Sequence, residues 1–220
     1  MAVALLVAAG RGERLGSDGP KAFVRCAGRP LLEWSIEALR ACPGIDRIVV
    51  ALPPGVIAPP GTEGVQGGEQ RSHSVRAALR HAGDAEVVVV HDAARPLLTP
   101  GLVQDCLDVL HTEDCDGAIA AAPVTDTIKE SEGEVVVRTL DRTRLWAVQT
   151  PQVFKRAVLE RAHEADPAAA ALATDDAALV ERVGGEVRLV PAPRENLKVT
   201  TPDDLRLAEL LLGARTRPPR

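Results

Sequence analysis

The stretch that decides the fold is Ala8–Lys21, AAGRGERLGSDGPK, which starts within the end of the apolar run Val3–Ala9. A strand that gives way to glycines and cations is how open α/β sheets begin a ligand site, at the carboxyl ends of their strands. Gly10, Gly12 and Gly16 let the backbone fold back and turn its N–H groups toward an anion, and Arg11, Arg14 and Lys21 add full positive charges. The loop is therefore read as a polyphosphate cradle. Two familiar versions do not fit. A Walker A loop needs Ser or Thr after its lysine, and Lys21 is followed by Ala22. A dinucleotide fingerprint opens directly into a helix, whereas Ser17-Asp18-Gly19-Pro20 interrupts one, and the second strand ends in Ala-Leu-Pro-Pro without an acid for a ribose.

Outward from the loop, strand-length apolar runs alternate with segments of helical period, the pattern of a mainly parallel sheet with helices on both faces. Pro30 opens a helix with Leu32, Ile36 and Leu39 on one side, and Asp46–Pro53 returns as a strand. The proline-rich Pro53–Gly64 reads as loop, and Gly67-Gly68 precedes a short helix carrying Val75, Ala78 and Leu79. Glu86–Val90 is a buried strand ending in HDAARP, followed by a helix over Thr99–His111 and a strand over Gly117–Ala122. Between Pro123 and Pro151 the period changes. Thr127–Glu130 and Glu134–Leu140 read as two strands around SEGE with no helix between them, a β-arm at about 124–150 projecting from a single domain 1–220. Helices near Lys155–Ala165 and Thr174–Val183, a strand Glu186–Val190 and a helix Pro202–Leu212 complete the chain.

Composition narrows the function. The 220 residues are 45% hydrophobic and 26% charged, which places the chain among folded globular domains. No apolar stretch reaches the ~20 residues of a membrane span, and MAVALLVAAG lacks the cationic start of a signal peptide. A net charge of -5 disfavours nucleic-acid and anionic-membrane surfaces, so any anion must be met by a local cationic cluster. Cys26, Cys42, Cys106 and Cys115 form no CxxC pair and the histidines have no zinc spacing, which suits a reducing cytoplasm.

Seven segments in order, AAGRGERLG with PK, GGEQRSHSV (67–75), HDAARP (91–96), APVTDTIK (122–129), DRTRLWAVQTPQ (141–152), ATDDA (173–177) and ENLKVTTPDDL (195–205), resemble the 2-C-methyl-D-erythritol 4-phosphate cytidylyltransferases of the non-mevalonate isoprenoid pathway. The resemblance spans nearly the whole chain. It implies a Rossmann-like nucleotidyltransferase fold, a homodimer joined through the β-arm, a need for Mg²⁺ or another divalent cation, and CMP transfer from CTP to methylerythritol 4-phosphate. The chemistry can be stated independently of the likeness. A phosphate-monoester oxygen must attack the α-phosphorus of a nucleotide, so two anions are forced together and cations must offset the repulsion. With a second pKa of about 6, the attacking phosphate is already ionised, and no His or Glu base is required.

Residue by residue, the resemblance assigns Arg14 and Lys21 to the α-phosphate as transition-state stabilisers, and Ala8, Ala9, Gly10 and Gly12 to the walls of the nucleotide pocket. It puts Gly68, Glu69 and Ser74 around cytosine and ribose, with Glu69 where relatives commonly carry Asp; the alternative is a Gly-Gly turn with Ser72 as a helix N-cap. Asp92 takes magnesium and the reacting phosphates and Ala93 borders the nucleotide. Arg95 belongs to the substrate side, with an ion pair to Asp92 as the alternative. His91 is read as a hydrogen-bonded core residue. Thr127 and Arg142, donated across the dimer, and Thr150 and Thr174 form the polyol-phosphate pocket, and Lys198 joins Arg142 in positioning the nucleophile. Asp175, Asp176, Asp203 and Asp204 read as helix N-terminal acids, and Lys129 and Lys155 as surface lysines. Val7 stands where proline often precedes the two alanines, and Ala22-Phe23 where Gln and an aromatic are common. A chain of 220 residues is too short for the fused form with a cyclodiphosphate synthase domain. The rivals are a ribitol 5-phosphate cytidylyltransferase, which differs mainly in its acceptor pocket, a non-catalytic nucleotide-binding module, and more distantly a nicotinamide-dependent dehydrogenase.

Overall fold

A computed structural model of the chain describes residues 1–10, 12, 15 and 19–215, apart from the side chains of 167–169. Arg11, Arg14 and Gly16 of the loop, and with them the role expected of Arg14, lie outside the described residues. The chain opens with β1 (Ala2–Val7), a small hairpin of β2 (Arg25–Cys26) and β3 (Arg29–Pro30), and α1 (Leu31–Arg40). Then come β4 (Arg47–Leu52), β5 (Glu63–Gln66), α2 (Arg71–Leu79), β6 (Val87–Asp92), α3 (Pro100–Thr112) and β7 (Gly117–Pro123). Two exposed strands, β8 (Lys129–Glu132) and β9 (Val135–Thr139), precede β10 (Trp146–Lys155). The chain continues with α4 (Arg156–Ala165), α5 (Pro167–Leu172), α6 (Ala177–Arg182), β11 (Val187–Pro191) and α7 (Pro202–Arg215).

Seven strands form one sheet in the order β11-β7-β10-β6-β1-β4-β5. Its pairs are parallel except where β10 runs antiparallel to both β6 and β7. Both faces are covered, because alternate residues of each strand enter different cores. Ala4, Leu6, Val50 and Val89 pack with Leu32, Ile36 and Leu39 of α1 and Val103 and Leu107 of α3. Val3, Leu5, Val49 and Val88 pack on the other face with Val75 and Leu79 of α2, Leu159 of α4 and Val180 of α6. That two-sided burial explains why the strands read as continuous apolar runs rather than alternating ones. A third cluster seats Ala208 and Leu212 of α7 against Leu15, Cys26 and Leu97.

Three elements differ from the sequence expectation. β10 is a ten-residue central strand although Gln149-Thr150-Pro151-Gln152 interrupts its apolar pattern. Its register against β7 shifts between Val148 and Gln152, so Pro151 falls in an irregularity where its missing N–H costs no ladder bond. Trp146 therefore already pairs with Pro123 in the main sheet, and the arm leaves it between those residues, spanning 124–145 rather than 124–150. β5 adds an edge strand at Glu63–Gln66, partly inside the stretch read as loop, through parallel pairing with Val49–Leu52. Third, α5 at Pro167–Leu172 is an additional helix in a stretch given no element by the sequence reading, whereas α6 falls within the helix expected over Thr174–Val183.

Candidate active site

The strand order reverses direction between β1 and β6: the chain builds β4 and β5 on one side of β1 and then returns to lay β6 on the other. At that switch point Val7 and Asp92 are register partners at the carboxyl ends of their strands. A cleft of about 740 Å³ opens there, bordered by the glycine loop, the start of α2 and the loop carrying Lys198.

The glycine loop closes on itself. The Lys21 N–H donates to the Gly10 carbonyl (3.1 Å) and the Leu15 N–H to that of Gly12 (2.8 Å). Gly12 has φ +74°, and a Cβ there would lie 2.7 Å from Lys21 Cβ. The glycine thus serves two needs, a left-handed backbone and close passage beside the lysine stem. Lys21 itself lines the cleft, in a single 3-10 turn Lys21–Phe23 that Pro20 leads into.

The second wall is the turn into α2. The Gly67 N–H donates to the Leu52 carbonyl (2.8 Å), tying the turn to the end of β4. At Gly68 a Cβ would come within 2.4 Å of His73 Cβ, so close approach alone demands glycine. The Ser74 hydroxyl accepts from the Gly68 N–H (3.2 Å), which fixes the turn from inside. The N-cap of α2 is Gln70 without a side-chain bond, and the Ser72 hydroxyl, the alternative cap, is buried and caps nothing.

The floor is a chain of charges. Asp92 receives Arg71 Nε on Oδ1 (3.1 Å) and Lys198 Nζ on Oδ2 (2.7 Å). Arg71 also donates through Nη1 to Asp176 Oδ2 (2.6 Å), and Asp176 Oδ1 meets His163 Nε2 (3.1 Å). Burial by itself would raise the Asp92 carboxyl, but the charges of Arg71, Lys198 and Arg95 override it and hold the group well below the ordinary carboxylate range. Asp92 is thus an ionised carboxylate in the cleft wall. Behind it the Thr150 hydroxyl accepts from the Asp92 N–H (3.1 Å) and contacts His91 Nδ1 (3.0 Å). Burial pushes the fully enclosed His91 ring down to about 4, so it is neutral near pH 7 and serves as a hydrogen-bonded core residue, as read from the sequence.

Of the residues expected at the site, Ala8, Gly10, Gly12, Lys21, Gly68, Glu69, Ser74, Asp92, Ala93 and Lys198 border this one cleft. Others stand elsewhere. Ala9 lies beside Gly67, whose Cβ would come within 2.4 Å of its own. Thr150 sits behind the floor, and Arg95 is buried, donating to the Asn196 carbonyl (2.8 Å) rather than pairing with Asp92. That bond and the one from the Val199 N–H to the Ala94 carbonyl (2.8 Å) clamp the loop that presents Lys198. Thr174 is exposed outside the cleft, and Thr127 and Arg142 are exposed on the arm, where Arg142 donates to the Thr125 carbonyl. Asp176 stands at the start of α6, as read from the sequence, but its carboxylate is 1% exposed and makes no cap, being committed to Arg71 and His163. Asp175 does cap, accepting from the Ala178 N–H (3.2 Å). Sequence reasoning missed Arg71 although it lies in GGEQRSHSV; an arginine at the first turn of a helix, where the helix dipole repels a cation, was the available signal.

A backbone cradle, lysines on separate loops and an ionised carboxylate around one cleft at a switch point suit the joining of two phosphates. An α/β fold with that site is the architecture of a nucleotidyltransferase. The sequence matches the profile of the family described as 2-C-methyl-D-erythritol 4-phosphate cytidylyltransferase over residues 2–214. The enzyme of that name from Deinococcus radiodurans is 48% identical over 212 residues, covering 96% of this chain and 89% of its own. That from Rubrobacter xylanophilus is 43% identical over 230 residues, covering 98% and 96%. The crystal structure of the Thermus thermophilus enzyme superposes with a TM-score of 0.82 at 38% identity over 96% of this chain and 98% of that one. The chain belongs to the 2-C-methyl-D-erythritol 4-phosphate cytidylyltransferase family and is a transferase of the cytidylyl class.

Proposed function

We propose that the cleft transfers CMP from CTP to 2-C-methyl-D-erythritol 4-phosphate, releasing pyrophosphate, as a step of isoprenoid precursor synthesis. The observation that carries the reading is the grouping of Lys21, Asp92 and Lys198 around one cleft beside the Gly67-Gly68 turn. An ionised phosphate oxygen of the acceptor attacks the α-phosphorus, the α–β bridging bond breaks, and the pyrophosphate leaves with its electron pair. Lys21, with Arg14 as its sequence partner, meets the charge that collects on the α-phosphate. Lys198 holds the acceptor phosphate near it, which converts a repelled encounter into a positioned one. Gly68, Glu69 and Ser74 border the base and ribose.

A divalent cation fits this floor in a limited way. Among the described residues no group of three acidic, histidine or cysteine side chains could hold a metal alone. Asp92 would therefore be the protein's one ligand, with the nucleotide's own oxygens completing the shell, the arrangement Mg²⁺ commonly accepts. Bound there, the ion would supply neutralisation of polyphosphate charge.

The acceptor side is completed by a second copy of the chain. Thr127 and Arg142 lie on an exposed arm, where Val135, 71% exposed, and Val137 share one face of β9 and Val136 takes the other, apolar surface that a dimer would cover. A cytoplasmic location agrees with four buried free thiols, and no described helix is long and apolar enough to cross a membrane. The deciding experiment is pyrophosphate release from CTP and Mg²⁺ with methylerythritol 4-phosphate or ribitol 5-phosphate as acceptor. Preference for the first is expected. Preference for the second would change the substrate while keeping the chemistry, and release with neither from folded protein would refute the reading.

A further inference from the structure

Arg71 ties the floor of the cleft to the body of the fold. It is the first residue of α2 and borders the cleft, and its guanidinium spans two carboxylates, Asp92 through Nε and Asp176 through Nη1. Asp176 does not border the cleft. It is anchored from two further elements, by His163 on α4 and by its own N–H, which donates to Gln152 Oε1 on β10 (3.2 Å). The two oxygens of Asp92 are thereby divided. Oδ1 faces a cation fixed in the interior, whereas Oδ2 faces Lys198, whose side chain is 39% exposed and sits on a loop.

We infer that Arg71, braced by Asp176, is a positioning residue for the transfer reaction: it holds Asp92 by Oδ1 so that Lys198 can leave Oδ2 for a substrate phosphate while the carboxylate keeps its place. The inference rests on the function proposed above, since it requires a phosphate for Lys198 to meet. The physical need is clear. A buried carboxylate stripped of its only cation is strongly destabilised, so Lys198 could not be released if it were the sole partner of Asp92. After Lys198 moves, Arg71 still bridges the two carboxylates, so Asp92 keeps a cation on Oδ1 while Oδ2 is open to whatever cation accompanies the nucleotide. Arg71 reaches the two carboxylates from separate nitrogens of one rigid plane, Nε and Nη1, whereas a lysine has a single nitrogen on a flexible stem and would have to meet both at one point.

The test uses Arg71→Lys, Asp176→Asn and the double variant in the full-length protein. It reads pyrophosphate release with CTP, methylerythritol 4-phosphate and Mg²⁺, CTP binding by titration calorimetry, and melting temperature. Arg71→Lys keeps a positive charge against Asp176, which guards against loss of folding. It should lower kcat by about 10- to 100-fold while the KM and calorimetric Kd for CTP stay within about threefold. Asp176→Asn, remote from the cleft, should lower kcat about fivefold, and the double variant should be no slower than the slower single, because both act through one arrangement. A folded Arg71→Lys protein with kcat within about twofold of wild type overturns the inference. So does a fall in CTP affinity that matches the fall in kcat, which would make Arg71 a direct nucleotide contact, and so does full additivity of the two changes. Wild-type protein that releases no pyrophosphate with methylerythritol 4-phosphate overturns the functional reading and this inference together, whereas an active wild type with an unaffected Arg71→Lys overturns the inference alone.

Discussion

The cleft and the arm handle charge in opposite ways. At the cleft, Lys198, Asp92, Arg71, Asp176 and His163 are joined in one line of contacts that runs from the mouth into the core. On the arm every residue of β8 and β9 is exposed, and Arg138 pairs with Glu130 across the hairpin at the surface. Exposed pairs contribute little to stability, and the arm packs no described core of its own, whereas the cleft's charges are oriented by the same packing that makes the sheet. The residues expected at the nucleotide side are thus held by the fold's own packing, while Thr127 and Arg142, expected at the acceptor side, stand on an exposed segment.

The largest effect should come from the nucleotide side. On the mechanism proposed above, Lys21→Ala should lower kcat by roughly a hundred- to a thousandfold, about 3–4 kcal/mol, with a much smaller change in CTP affinity by calorimetry. Near wild-type turnover would remove Lys21 from the mechanism. Arg142→Ala should act mainly through the acceptor, raising the KM for methylerythritol 4-phosphate and lowering kcat/KM about a hundredfold. Equal mixing with Lys21→Ala protein under subunit exchange should restore about a quarter of wild-type activity, since half of the dimers are mixed and each has one intact site. No recovery after verified exchange would return the arm to its own chain and dissolve the contrast.

Smaller effects sharpen it. Gly12→Ala places a Cβ 2.7 Å from the Lys21 stem at a left-handed backbone position. Strain of about 1–3 kcal/mol should displace the loop and lower kcat roughly tenfold, while the melting temperature shifts by only a few degrees. A scan showing unchanged kcat would mean that the loop yields without moving the lysine. His91 should affect stability rather than turnover, and with a definite sign. Folding pushes its ring from 6.5 down to about 4, so between those values the unfolded chain binds more protons than the folded one. Stability must then fall as pH drops through that window, by at most about 1.4 kcal/mol per pH unit, and His91→Asn should flatten the slope of melting temperature against pH.

Much of this is legible from residues alone, for a physical reason visible in particular elements. β1 and β6 are buried on both faces, so their sequences are nearly pure apolar runs, and the loop after β1 must carry glycine and cations whatever surrounds it. α3 declares its start, with Thr99 accepting from the Leu102 N–H (3.2 Å) and Pro100 in the first turn. β10 is illegible because Pro151 and its polar neighbours are tolerated only through a register shift against β7, which no local pattern announces. The place of Asp176 before a helix is legible, but what its carboxylate meets is not. Only the approach of α2, α4 and β10 gives Asp176 an arginine, a histidine and a glutamine.

The sequence by itself determined the class of fold, the family and the glycine-rich loop, and it pointed to Lys21, Asp92 and Lys198 as residues of one cleft. Those rest on periodicity and on residue chemistry, which are local properties of the chain. The tertiary structure decided the pairing: that Asp92 is shared between Arg71 and Lys198, that Thr150 and Arg95 support the floor rather than face the cleft, and that the arm leaves the sheet at 124–145. Such pairings join residues up to about a hundred positions apart, and their partners are set by how helices settle on a twisted sheet rather than by anything either residue carries in its own neighbourhood.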